Sequence, residues 1–504
     1  MYFPASPAEE AFAAELAAVR PALESAYRAA LDGARAAVLT RLWRALAFEP
    51  LPWVVGRERG SAGLAVLLAD GGRLEGPPPD AYATDAYAAE LLLDGRPYRQ
   101  AARLVAALGV PHGEDFAAEL DGSTASLALS RAGQPPAGRD VAARTTWQWE
   151  QRVVDGHPYH PNCRSRPGFS VAEQLAYAPE HRPVVDLGLV SVRAEECLVT
   201  GDWPAELRDA GRILVPVHPW QAAHTLKHER VRDGFAAHPL MALRTLAPIE
   251  GGAHVKTALS TRLTSSVRDI SGYSVETATA VSDFAQALSE RLDGRLHITR
   301  TLGAATAHSP DLAAVLREPP EVYADAAAGE RVLPVAALAS LPQARSAAWR
   351  AGFARLALSV CLRVLELGVA LEAHGQNLLV VLSATGAPLR LVYRDLADIR
   401  ISPARLVRHG LPVPPLSGRL ITDDVTVLRR KLFGSLLTGA LGATAGSAGA
   451  FADAFAVAAG LPATADSEAL LAGGLPTKAL TLMRLSPGVP GDQWAELPNP
   501  LAGG

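Results

Sequence analysis

The sequence predicts an α+β protein built in three parts. Three observations carry the prediction. Residues 8–48 place apolar positions at helical spacing among interspersed charges. From 140 to about 345, short alternating apolar runs mix with loops. The last part opens with a long helical pattern near 344–368, runs into a β-hairpin and returns to helix from about 424 to the end. At 504 residues the chain is too long for one compact core, so parts at 1–139, 140–345 and 346–504 are expected.

The elements follow in order. Residues 8–48 read as one or two amphipathic helices. Trp53-Val-Val and Gly63-Leu-Ala-Val-Leu-Leu read as short strands, and 82–132 as helix broken near Gly109–His112. Gly133-Gln-Pro-Pro-Ala-Gly138 is a loop and a boundary. Gly156–Gly168, dense in Pro and Gly, is a shaped loop. Arg212–Gln221 is a strand entering a turn, and 254–268 alternates like one strand ending in hydroxyls and a cation. Ser282–Leu292 reads as helix and His297-Ile-Thr-Arg300-Thr as a short strand. The uncharged run Leu432–Ala452 is diluted by Gly, Ser and Thr, which favours a buried helix over a membrane span.

Composition narrows the function classes. Net charge is −4 with both signs interspersed, which gives no general drive toward nucleic acid or anionic membrane. Cys163, Cys197 and Cys361 form no CxxC pair, which argues against a disulfide scaffold or a zinc site. The first residues show no basic region followed by an apolar core, so no signal peptide is read and a soluble, cytoplasmic protein is expected. Phosphate-loop, nucleophile-elbow and zinc-helix signatures are absent.

Three constellations carry chemistry. Glu372-Ala-His374-Gly-Gln376-Asn377 precedes an apolar strand, and a second strand runs into Arg394-Asp395. A hairpin centred near Gly386 brings Asn377 and Asp395 together at its open end. These are hard oxygen ligands suited to Mg²⁺ on nucleotide phosphates, with Glu372 as a third. His374 and Gln376 would touch nucleotide or substrate. His157-Pro158-Tyr159-His160-Pro161 stiffens a loop through its prolines, and Arg164 and Arg166 supply fork-shaped anion donors. Thr264-Ser265-Ser266-Val-Arg268 sets hydroxyls beside a cation at a strand end, a phosphate cradle without a glycine loop; Arg300 is a weaker signal of the same kind. His218, closing an apolar strand, reads as structural.

In this order the segments resemble the IucA/IucC-like family of siderophore synthetases, which work without a nonribosomal peptide template. The family pattern His-Pro-x-His-Pro-x-x-Lys-x-Arg-x-Gly matches 157–168, Thr-Ser-x-x-Arg-Thr matches 264–269, and His-Gly-Gln-Asn and Arg-Asp match 374–377 and 394–395. Val-Pro-x-His-Pro-Trp-Gln at 215–221 also fits. The resemblance implies a cupped hand of thumb (1–139), fingers (140–345) and palm (346–504) around a central ATP cleft. It implies an acid–amine ligase that uses ATP and Mg²⁺: a citrate-like carboxylate is adenylated, then condensed with an amine, hydroxylamine or alcohol. Under it His157, Ser265, Ser266 and Arg268 hold ATP, and Arg300 and His374 lie near phosphate or the acid. Glu372, Asn377 and Asp395 hold Mg²⁺. Homodimers are common in the family, so a homodimer is an expectation. Two positions depart from the pattern: Arg164 replaces a lysine, and Asp269 replaces a threonine, which points to an uncommon acid or nucleophile. The competing readings are a small-molecule kinase with an Asn/Asp metal site and a divergent non-catalytic homologue.

Overall fold

The computed structural model describes residues 5–61, 63–135, 143–227, 231–263 and 266–502. Ser6 starts the first helix, Pro7–Val19. Its hydroxyl accepts from the Glu9 amide while the Glu9 carboxylate accepts from the Ser6 amide. Helix Glu24–Phe48 buries Leu39, Leu42 and Trp43 against helices Ala101–Leu108 and Gly113–Ala132. A five-stranded antiparallel meander, from Val54–Gly60 to Arg96–Tyr98 in chain order, packs on the same core. Helix was expected throughout 82–132, but strands Leu91–Leu93 and Arg96–Tyr98 take its first part. Asp94 and Gly95 both have positive φ (50° and 78°), the two-residue turn that closes a hairpin.

The middle of the chain forms a nine-stranded sheet whose pairs among the described residues are antiparallel. Strands Ala313–Arg317, His254–Thr257 and Thr245–Pro248 are neighbours in its interior. The single strand expected across 254–268 is three pieces. His254–Thr257 belongs to the large sheet, while Leu259–Leu263 and Ser266–Arg268 pair with each other. A continuous strand of that length would outrun its partner, which is only five residues long.

The hairpin predicted around Gly386 forms. Leu378–Leu382 pairs with Pro388–Tyr393, with Leu378 opposite Tyr393 and Gly386 at φ +85°. All five residues of Leu378–Leu382 are fully buried. One face packs with helix Ala347–Leu367, and the other meets Val332, Val392 and Tyr323. Such a strand reads as a continuous apolar run. Ser346 caps the helix start, and Gly368 ends it at φ +113°, where a Cβ would meet the Ser402 carbonyl at 3.0 Å.

The uncharged run near 432–452 continues helix Val425–Phe433 as a π-helical stretch, Gly434–Gly442, and then helix Ala448–Phe455. Among the described residues no single helix is long and apolar enough to cross a membrane. The bent pair Val425–Ala445 and Ala448–Gly460, at 116°, has the length and composition, and its Leu436, Leu437, Phe451 and Phe455 are buried in the core. Helices alone were expected to the end, but strands Leu475–Lys478 and Trp494–Leu497 pair antiparallel. Residues from this tail, Ala479, Leu482, Leu485 and Ala495, join the core of the first part. Neither the pairing nor the docking leaves a local signature. The mixed helix-and-sheet class holds.

Candidate active site

A cleft of about 1070 Å³ opens where the large sheet, the His-Pro loop and the hairpin end converge. His157, Arg268, His374, Gln376, Asn377 and Asp395, from three separate segments, all line it. Among the described residues eleven Lys or Arg side chains line the cleft against six Asp or Glu. The whole chain carries −4, so this local surplus marks the cleft as a place for anions.

Local turns set the two histidines. His157 Nδ1 accepts from the Tyr159 amide at 3.2 Å, and His374 Nδ1 accepts from the Gln376 amide at 3.2 Å. A neutral ring accepting at Nδ1 carries its proton on Nε2. His157 is exposed to the cleft, with protein packed around the cleft walls. Its pKa is lowered from the ordinary value by the surrounding protein, with the neighbouring His160, His374, Arg41 and Arg44 acting in the same direction. Burial also lowers His374, with Glu372 opposing. In their neutral forms both rings present Nε2–H as a donor. His218 makes the same turn with Trp220 at 3.1 Å and has no exposed surface. Burial alone takes it down to about 3, in keeping with a structural role.

Arg164 and Arg166 take a different place from the one their sequence suggests. Both lie on Glu180, Arg164 Nη1 at 3.2 Å and Arg166 Nη2 at 2.7 Å, with side chains 8% and 5% exposed and Glu180 fully buried. Arg164 also donates to the carbonyls of Val153 and Val154. The forks therefore hold the His-Pro loop in shape, although both border the cleft. Arg300 is corrected as well. It lies on the surface, 55% exposed, 3.3 Å from Glu318, and does not border the cleft. Arg268 does border it, with Nη2 donating to the Leu263 carbonyl at 2.8 Å. Arg244 Nη1 donates to the Arg268 and Asp269 carbonyls and so pins that strand end. Asp269 is exposed, borders the cleft and, among the described residues, forms no ion pair. Ser265 lies outside the described residues, and for Ser266 only the backbone, in strand Ser266–Arg268, is described.

At the hairpin end, the Arg394 amide donates to the Asn377 carbonyl at 3.0 Å, which continues the ladder by one step. The Arg394 side chain turns away into a buried pair with Glu150 at 2.7 Å and donates to the Gln376 carbonyl. Asp395 follows at φ +71° and faces the large sheet, 2.9 Å from both Lys256 and Arg317. Burial works to raise its pKa, but Arg317 and Lys256 outweigh it and hold the carboxyl well below the usual range. Glu372 is 3.2 Å from Lys431 and 3.1 Å from Lys478. Asn377 Nδ2 donates to the Glu372 carbonyl at 3.4 Å, which leaves Oδ1 as its acceptor end.

The oxygens of Glu372, Asn377 and Asp395 have the hard-donor chemistry that Mg²⁺ takes. Among the described residues no trio of His, Cys, Asp and Glu is arranged as an all-protein metal cage. Two carboxylates and one amide oxygen are few donors for an octahedral Mg²⁺, which commonly completes its shell with waters and phosphates. Sequence reading missed Lys256, Arg317, Arg244, Lys431 and Lys478, all bordering the cleft. All four residues of strand His254–Thr257 are buried in the structure, and a lysine there is buried only when paired, but the sequence His-Val-Lys-Thr does not announce that burial. The π-helical wall was missed too. Its Gly439 lies so close to His374 that a Cβ there would meet the histidine Cβ at 3.2 Å.

Comparison with known proteins agrees with the motifs. Residues 145–340 match the model of the IucA / IucC family, and residues 347–454 match that of the ferric iron reductase FhuF-like transporter. A Staphylococcus aureus synthase, named for a 2-hydroxypropanoate bearing two carbamoyl groups, is 23% identical over 336 residues, 53% of each chain. A citryl-spermidine/3,4-dihydroxybenzoyl-citryl-spermidine:spermidine ligase of Bacillus anthracis is 24% identical over 309 residues, 49% of this chain and 50% of the relative. The chain thus spans about half the length of the curated relatives it matches. ATP-bound aerobactin synthetase IucA from Klebsiella pneumoniae superposes with a TM-score of 0.74 at 19% identity, covering 94% of this chain and 99% of that one. The likeness extends over nearly the whole fold, and the resemblance carried by the motifs is borne out.

Proposed function

We propose that this IucA/IucC-type chain is an ATP- and Mg²⁺-dependent ligase. It joins a citrate-like carboxylic acid to an amine, hydroxylamine or alcohol in the biosynthesis of a siderophore or related natural product. One observation carries the reading. His157, Arg268, His374, Asn377 and Asp395, far apart in sequence, meet in a single cleft with a surplus of positive charge. Support also comes from relatives whose names describe citryl–amine ligation and from the likeness to an ATP-bound synthetase.

The chemistry asks for two anions to be brought together. A carboxylate oxygen attacks the α-phosphorus of ATP, the bond to the β-phosphate oxygen breaks, and pyrophosphate leaves. The amine then attacks the acyl carbon, AMP leaves, and the amine gives up a proton. Charge compensation and alignment matter more here than a strong base. In this reading Arg268 neutralises phosphate charge, and the neutral Nε2–H groups of His157 and His374 donate to phosphate or acyl oxygens without adding charge. Glu372, Asn377 and Asp395 would hold Mg²⁺, which screens the phosphates when bound. The fold is read as a cupped hand with thumb 1–139, fingers 140–345 and palm 346–504 about this cleft. The reaction belongs in the cytoplasm, where ATP is available.

The test is a product assay over a panel of carboxylic acids with hydroxylamine as surrogate nucleophile. The expected outcome is AMP and pyrophosphate with at least one acid. ADP instead would establish a kinase, and no turnover with any pair would establish a non-catalytic homologue.

A further inference from the structure

Asp395 is held in the cleft by two cations whose purpose packing does not explain. Lys256 Nζ is 2.9 Å from Oδ2 and 3.2 Å from Oδ1, and Arg317 Nη2 is 2.9 Å from Oδ1. The two cations leave adjacent antiparallel strands in the interior of the large sheet, Arg317 opposite His254 and Lys256 opposite Val315. Their side chains are 8% and 13% exposed, and both border the cleft. Two buried cations on one carboxylate leave a positive charge uncompensated. Burying a charge is costly, and an apolar side chain would fill a sheet interior at no such cost. The arrangement therefore suits a second anion brought by a ligand.

We propose that Lys256 and Arg317 are a phosphate-binding pair that Asp395 holds until a divalent cation takes its carboxylate. The proposal rests on the ATP reading above. A hard divalent cation and an ammonium compete for the same two oxygens, and like charges at contact distance repel. Lys256 has a flexible four-carbon stem, and Arg317 a planar fork that matches a phosphate. Released from Asp395, both face the cleft that the nucleotide enters. Metal and phosphate binding are then linked, each strengthening the other, by the roughly 5–150-fold typical of coupled sites. The device favours metal-loaded ATP over free ATP, because free ATP must displace Asp395 by itself.

The experiment is titration calorimetry on the full chain with three probes: Mg²⁺ alone, ATP in EDTA, and Mg²⁺–ATP. For Lys256→Met the expected responses have opposite signs. Mg²⁺ alone binds about tenfold tighter because a competitor is gone, and Mg²⁺–ATP binds about tenfold weaker because a phosphate partner is gone. Lys256→Arg keeps the charge and is expected to stay near wild type with both probes. Arg317→Met gives the same crossed test with Lys256 retained, should Lys256→Met not fold. A same-sign response, or Mg²⁺–ATP affinity within about twofold of wild type in both methionine variants, overturns the pair but not the ATP reading. Wild-type protein that binds no ATP with or without Mg²⁺ overturns both.

Discussion

Two clusters in this molecule have the same charges and opposite surroundings. Each sets one carboxylate between two cations: Glu180 between Arg164 and Arg166, and Asp395 between Lys256 and Arg317. The cations are similarly buried in the two clusters, but Glu180 has no exposed surface, whereas the Asp395 side chain is 28% exposed to the cleft. In the first cluster both guanidiniums have further protein acceptors, Arg164 on the carbonyls of Val153 and Val154 and Arg166 on the Gln174 side-chain oxygen, and the His-Pro loop is held in shape. In the second, Lys256 and Arg317 have Asp395 as their ion-pair partner among the described residues, and that carboxylate stays open to whatever enters. The difference teaches that a basic motif identifies a ligand site only when its charges remain unanswered, which depends on partners elsewhere in the chain.

The strongest way to break the comparison is to remove the shared carboxylate from each side. Glu180→Gln strands two buried guanidiniums and is expected to cost about 3–5 kcal/mol in urea unfolding. The effect should depend on pH. Burial works to raise Glu180, but Arg164 and Arg166 hold it well below its ordinary 4.5. A depressed carboxyl contributes stability above its unfolded pKa and loses it as pH falls through the folded value. The gap between wild type and Glu180→Gln should therefore be full at pH 7 and begin to shrink below about pH 4.5. A gap that stays constant down to pH 3 would show that the triad does not hold its charge in the fold.

Asp395→Asn is the matching change on the open side. It is expected to cost only about 1–2 kcal/mol of stability, because water and the cleft can answer Lys256 and Arg317. Pyrophosphate release, by contrast, should fall by about 100-fold or more, the scale of losing one preorganised charged group. Equal stability losses for Glu180→Gln and Asp395→Asn would erase the distinction between the two clusters.

The same distinction explains what could be read in the sequence. The hairpin was legible because Leu378–Leu382 and Pro388–Tyr393 are neighbours in the chain with a glycine turn between them. Glu372, His374, Gln376, Asn377 and Asp395 were legible as cleft residues because a two-residue register places them at one end of that hairpin. Arg164 and Arg166 read as open anion donors because Glu180, on which both lie, belongs to no motif. Lys256 and Arg317 went unseen because their common partner lies 139 and 78 residues away. The strands Leu475–Lys478 and Trp494–Leu497 were lost for a related reason: their pairing and their docking on the first core are both non-local. Local chemistry was readable wherever the partner was local.

The smallest expected effect tests the distinction from the surface. Arg300 fits the pattern of a phosphate-binding residue, since it follows a strand and is flanked by threonines. The structure sets it outside the cleft lining, 55% exposed and on Glu318. The Tyr323 hydroxyl also donates to Glu318, so that carboxylate keeps a partner when the arginine is gone. An exposed pair of this kind contributes little, and Arg300→Ala should change stability by no more than about 0.5 kcal/mol. Its kcat/KM for pyrophosphate release should stay within about twofold of wild type, whereas Arg268→Ala, inside the cleft, should lose about tenfold or more. A large loss from Arg300→Ala with unchanged stability would mean that strand Thr301–Thr306 moves to bring Arg300 over the cleft when substrate binds, and accessibility without ligand would then be a poor guide to which charges act.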